Sequence, residues 1–156
     1  MTSQLNVDTI VDKAGTGGAT LSKPTITEMA NTSTYVSDGG NVTQNTVQGL
    51  VKSWYCLQGT DTFGLKDSFN TASATDNGEG DYTTVRTNAF SNANYATAAL
   101  CSSADGSSAH YNFTVENQDN RLRTTTSLRT YILNAISGQG ANDALESSVS
   151  FMGDLA

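Results

Sequence analysis

The residues able to do chemistry are few and scattered. His110 is the one histidine of the chain, so any imidazole-dependent mechanism must run through it. Asp105, Ser107 and Ser108 are its neighbours in sequence. A catalytic triad, however, needs convergence in space and donors for an oxyanion, and no exposed nucleophile turn is written here. His110 therefore reads as a surface or interface residue. The densest acidic stretch, Asp76-Asn77-Gly78-Glu79-Gly80-Asp81, gathers three carboxylates. Its spacing is not that of a calcium loop, which wants acids at alternate positions before its glycine. Nor does an exposed hairpin tip provide the cleft across which two carboxylates hydrolyse a glycoside. Gly15, Gly17 and Gly18 lack the lysine and following helix of a phosphate loop. The expectation is an ordinary hairpin tip, no catalytic residues, no metal ligands and no cofactor.

Cys56 and Cys101 are the only cysteines. Both fall in expected strands, where they would face one another or stand as buried thiols; in a reducing compartment the thiol form is favoured. Aromatic rings are the remaining chemistry. Trp54, the single tryptophan, and Tyr82, Tyr95 and Tyr111 are candidates for receptor or oligomer contacts, because ring faces stack on sugars. The competing expectation for Trp54 is packing in the core or on an oligomer axis.

The elements that must position these residues follow from composition. Thr, Ser and Asn make up 54 of 156 residues, charged residues are 15%, and proline occurs once. Such residues rank low in helix propensity, which points to an all-β chain. No apolar run approaches the ~18 residues of a membrane span, and the N-terminal residues lack the basic and apolar blocks of a signal peptide. A net charge of −7 with only eight basic residues disfavours nucleic acid and anionic membranes as partners.

Residues 1–46 differ from the rest. Leu5, Val7, Ile10, Val11 and Ile26 are short apolar fragments among turn formers, with strands expected near Leu5–Val7 and at Thr25-Ile26-Thr27. So little apolar surface cannot offset the entropy of ordering alone, so this segment reads as an extended arm ordered against a partner. From residue 47 to 156 a period of two is plain. Val51, Ser53, Tyr55 and Leu57 alternate with Lys52, Trp54 and Cys56. Phe63, Leu65 and Phe69 are expected on one face of the next strand. The tip at 76–81 leads into a strand over Tyr82–Thr87, and further strands fit Tyr95–Cys101, Tyr111–Val115, Leu122–Leu133 and Val149–Met152. Gly140–Glu146 reads as a loop. Seven or eight short strands at this spacing predict an antiparallel β-sandwich or similar small barrel.

Four segments, in order, carry a family resemblance. Val51-Lys52-Ser53-Trp54 with Gly59-Thr60 resembles the strand opening a domain common in bacteriophage tail-fibre and virion-surface proteins. Asp67-Ser68-Phe69-Asn70 with Thr75-Asp76-Asn77-Gly78-Glu79-Gly80-Asp81-Tyr82-Thr83 is similar to that domain's "SFN…TDNGTGDYT" segment. Asn92-Ala93-Asn94-Tyr95-Ala96 resembles its "NANYA" segment, and Val149-Ser150-Phe151-Met152-Gly153-Asp154 its closing "VAVFGD" strand. Ser3 to Asp12 looks like the opening of many marine phage virion proteins. The resemblance implies a non-enzymatic virion structural role, assembly in the bacterial host cytoplasm, and a symmetric homo-oligomer, often a trimer. It further implies an arm that attaches to other virion proteins of capsid or tail, and a projecting β domain placed to meet a host surface glycan. Because no repetitive shaft separates arm from domain, it implies a short fibre, knob or decoration protein rather than a long fibre.

Overall fold

The computed structural model describes residues 25–26, 28–30, 32–36, 43–47, 49–102, 112–116, 123–134 and 140–156. Among them there are strands and no helix, as the composition predicts. A small pair comes first, β1 (Thr34–Val36) with β2 (Thr43–Asn45). The eight strands that follow are β3 (Val51–Gln58), β4 (Gly64–Phe69), β5 (Thr71–Gly78), β6 (Asp81–Arg86), β7 (Ala96–Cys101), β8 (Asn112–Glu116), β9 (Ser127–Asn134) and β10 (Ser147–Met152). They form two four-stranded antiparallel sheets, β4-β3-β10-β7 and β5-β6-β9-β8, arranged as a sandwich.

Alternation decides which residues fill the space between the sheets. Ser53, Tyr55 and Leu57 of β3 face inward, as do Ser147, Val149 and Phe151 of β10. The second sheet contributes Tyr82, Thr84 and Arg86 from β6, and Leu128, Thr130, Ile132 and Asn134 from β9. Phe90, Tyr95 and Ala144 close the core from the connecting segments.

The turn from β5 to β6 uses its glycines as the sequence requires. Gly78 and Gly80 take φ values of 137° and 66°, a region that costs other residues steric strain. Gly59, just after β3, answers a different demand: a Cβ there would lie 2.1 Å from the Tyr82 hydroxyl.

Several expectations need revision. Thr25 and Ile26 belong to no strand, and Ile26 is largely exposed; among the described residues nothing pairs this stretch into a ladder. Val51, expected on the face of Ser53, stands on the opposite one, because a register shift in the β3–β10 ladder leaves Lys52 as an extra residue. Leu5, Val7, Ile10 and Val11, like His110 and Tyr111, lie outside the described residues. The strand expected from Leu122 begins only at Ser127, because Thr124 first turns the chain by accepting from the Thr126 and Ser127 amides. β5 is a strand the alternation does not announce: its residues are small or polar and most are exposed. Phe69 does not share a face with Leu65. A register shift between Cys56 and Leu57 pairs them with Asp67 and Leu65 and leaves Lys66 as the extra residue. A bulge of this kind exchanges the faces on either side of it, so Leu65 packs on the core while Phe69 is 56% exposed. The loop expected over 140–146 is found, tied to β9 by a bridge between Ala141 and Leu133.

Candidate functional site

The acidic stretch does not gather its carboxylates. Asp76 accepts a hydrogen bond from the Gly78 amide (2.9 Å) and so shapes the turn. Asp81 is nearly buried and held by the fork of Arg129, whose Nε lies 2.7 Å from Oδ1; this bond keeps the Asp81 carboxyl below its ordinary range. Glu79 stays exposed. Among the described residues no three His, Cys, Asp or Glu side chains converge as a metal site would need.

Two of the candidate tyrosines are core residues. Tyr82 is 1% exposed and Tyr95 3%. The Tyr82 hydroxyl donates to Asp143 at 2.6 Å, and burial together with that carboxylate holds its phenol far above the usual value. Its ring stacks on Phe63 at 5.6 Å. Tyr95 stacks on Phe90 at 4.7 Å and lies within 5 Å of both the Arg86 and Arg123 guanidinium carbons. Packed in this way, neither ring offers a face to a ligand. Both occupy inward or core-closing positions, so these aromatics act in folding.

Cys56 and Cys101 are free thiols. Cys101 is paired with Ser147, whose neighbours on that row face the core, whereas Cys56 is paired with Ser148 on the outer side. The two cysteines therefore stand on opposite faces of one sheet, with β10 between their strands.

Trp54 is placed differently from the tyrosines. With Ser53, Tyr55 and Leu57 turned inward, Trp54 and Cys56 project from the outer face of the β4-β3-β10-β7 sheet. Cross-strand partners share a face, which allows the outer surface to be read row by row. In one row Phe69 stands opposite Trp54, followed by Ser150 and Ala98. In the next, Asp67, Cys56, Ser148 and Leu100 are aligned. A third joins Val51, Met152 and Ala96 across the bulge in the β3–β10 ladder. Asp67, at the β4 margin, is the only charged side chain in these three rows. Leu100 is 77% exposed, and Val51 and neighbouring Leu50 are also exposed. This is an apolar sheet face with no element of the described residues laid over it. The sequence singled out Trp54, but not Phe69, Val51 or Leu100. The signal available for Leu100 was its uncharged strand, Ala-Thr-Ala-Ala-Leu-Cys.

Below the third row lies an open cleft of about 330 Å³ lined by Asn92, Asn94, Tyr95, Ala96, Met152, Gly153 and Asp154. Its polar groups are engaged locally: the Asn92 carboxamide accepts from the Asn94 amide at 2.8 Å, and Asp154 lies near the buried Lys52 ammonium, opposing the downward push of burial on that lysine. The Lys52 Nζ itself donates to the carbonyls of Val47 and Leu50. What the surface offers chemically is an aromatic and aliphatic platform beside a small polar cleft, with no assembled acid–base or nucleophilic constellation among the described residues. Comparisons with family models, with curated proteins and with solved structures return no match.

Proposed function

We propose that this chain is a bacteriophage virion structural protein, a short fibre, knob or decoration protein. Residues 1–46 attach it to capsid or tail, and residues 47–156 form the projecting β domain of a homotrimer. The observation that carries this reading is the ordered recurrence of the four segments at 51–60, 67–83, 92–96 and 149–154. Their places in the fold support it. The first and last segments pair directly as β3 and β10, and the third leads into β7 on the other side of β10. The second supplies the β5–β6 turn. The segments thus mark the joints of one sandwich, which is what a motif selected for a scaffold would do. A surface rich in Thr, Ser and Asn gives solubility with little charge while remaining compatible with strands.

Deleting residues 2–46 tests the reading. The truncated chain is expected to stay soluble and folded and to be lost from particles; unchanged incorporation overturns the anchor assignment. Light scattering on the intact chain is expected to give the mass of a trimer, and a monomer at micromolar concentration counts against it.

A second reading, a carbohydrate-binding adhesin module for a host receptor, is favoured by one observation. Trp54 and Phe69 stand directly opposite on an open face, an arrangement on which sugar rings stack. Trp54→Ala would then abolish glycan binding without unfolding the protein, while a blank glycan array would remove this reading.

A further inference from the structure

We propose that the outer face of the β4-β3-β10-β7 sheet, together with the open edge of β7, is the surface on which copies of this chain associate. The proposal deepens the oligomeric part of the function proposed above, but its grounds are in the surface itself.

The four edges of the sandwich are treated unequally. β4 carries Lys66 and Asp67 and a bulge. β5 carries Asp76 and two register shifts in its ladder with β6. β8 carries Glu116, which is paired with Arg123. Charges and bulges of this kind are how sheet edges discourage added strands. β7 has none of them. It is six residues without charge, proline or bulge, exposed along Ala96–Leu100 on both of its faces, and among the described residues it pairs with β10 alone. The undefended edge belongs to the same sheet that presents Trp54, Phe69, Val51, Met152 and Leu100 outward, so one strand joins an open ladder to an open apolar face.

The size of the surface favours another copy over a sugar. Four strands ~4.8 Å apart and six residues long at ~3.3 Å per residue give a footprint on the order of 400 Å² before side-chain relief is counted. That matches the largest apolar patches found on monomers, roughly 300–600 Å², which commonly mark interaction sites. It is about half of the ~800 Å² that each partner gives to a standard interface, and the β7 edge supplies further area and main-chain hydrogen bonds. A sugar needs a dense set of polar partners. Here the three rows offer two serines and one marginal aspartate among Trp, Phe, Val, Met, Leu, Cys and Ala. Around a three-fold axis, the same face on each of three copies answers an apolar surface with an apolar surface.

Trp54 makes the test specific, because it is the only tryptophan and lies within the proposed contact. Sedimentation velocity of the full chain over a dilution series is expected to show an oligomer. Trp54 emission should shift to the red, and acrylamide should quench it more strongly, as the oligomer dissociates. Leu100→Lys and Phe69→Lys, each at a largely exposed position, should weaken association by about tenfold or more while leaving the far-ultraviolet circular dichroism spectrum unchanged. If either variant fails to fold, Ala98→Arg in the same rows is read instead. A wild-type chain that is monomeric at 100-fold dilution steps up to about millimolar concentration, with Trp54 emission independent of concentration, overturns the proposal. So does an oligomer that all the folded variants leave intact, a Trp54 signal that responds only to soluble oligosaccharide, or one that reddens only when residues 2–46 are removed. A monomer in solution with normal particle incorporation would refute this interface and the trimer, and leave the attachment of the chain to particles standing.

Discussion

Arg86 is the least conventional residue of the core. It is 5% exposed, and its guanidinium carbon lies 4.8, 4.3 and 4.5 Å from the ring centres of Phe90, Tyr95 and Phe151. Nη1 donates to the Thr125 carbonyl at 3.4 Å, and no carboxylate pairs with the charge among the described residues. Ring faces thus take much of the part that water or an acid plays elsewhere. Replacing it by alanine removes these contacts and leaves a cavity, so Arg86→Ala should cost about 3 kcal/mol in urea unfolding. Arg86→Met keeps the volume without the charge and should cost less than about 1.5 kcal/mol. Equal losses would show that the ring contacts with the cation decide the matter and that packing does not. The buried phenols set an alkaline limit. Burial pushes Tyr55 up to about 12, whereas an unfolded tyrosine ionises near 10. Above that value the folded state holds protons that the unfolded state has released. Its contribution to stability is therefore complete below about pH 10 and is lost as pH rises toward about 12. Absorbance at 295 nm with parallel thermal melts should show phenolate from these rings only as the protein unfolds; ionisation of all tyrosines near pH 10 in a folded protein would contradict the assignment. Little of this was legible in sequence. Arg86 reads as one polar residue of a Thr-rich strand, and its ring neighbours are divided between the irregular segment after β6 (Phe90, Tyr95) and the distant β10 (Phe151).

At the scale of elements, legibility follows the alternation. β3 and β10 were readable because their apolar and polar residues alternate and one face is buried. β5 was not, since an exposed edge strand of Thr, Ala, Ser and Asp has no buried face to write into the sequence. The link between the sheets was equally hidden. Asn70, between β4 and β5, sits at φ 53°. Its side chain donates to the Lys52 carbonyl at 3.0 Å and accepts from the Asn88 amide at 2.7 Å. Both Asn70→Ala and Asn70→Gly lose these bonds, but only alanine keeps a Cβ in the left-handed region. The alanine variant should therefore be less stable than the glycine variant by about 1 kcal/mol, and equal melting curves would remove strain from the explanation. The sheet also settles the cysteines: on opposite faces with β10 between their strands, Cys56 and Cys101 cannot reach the ~5.5 Å between Cα atoms that a disulfide needs. Reductant should leave the melting temperature unchanged, and a thiol assay on the unfolded chain should find both free. A lower melting temperature in reductant would contradict this placement.

Over the whole molecule, the two sheets convert a polar, weakly charged sequence into a sandwich that presents an apolar outer face on the β4-β3-β10-β7 sheet. The sequence pointed to the class through its strands and turn glycines, and it singled out Trp54 as either a packed or a contact residue. It could not show the face itself, because Val51 and Phe69 reach it through bulges and Leu100 through the register of β7 with β10. Side-chain parity read along one strand fails across a bulge. Of the carboxylates at 76–81, Asp76 serves a turn and Asp81 an ion pair. Tyr82 and Tyr95 serve the core. The reading as a particle component therefore rests on the ordered segments from Val51 to Asp154 and on the scaffold positions they occupy. Labelling intact particles with an antibody raised against residues 47–156 tests it most directly. The proposal predicts label at regular positions on the surface of head or tail, lost when the particle is assembled with a chain lacking residues 2–46. Particles that assemble normally and carry no label would contradict it.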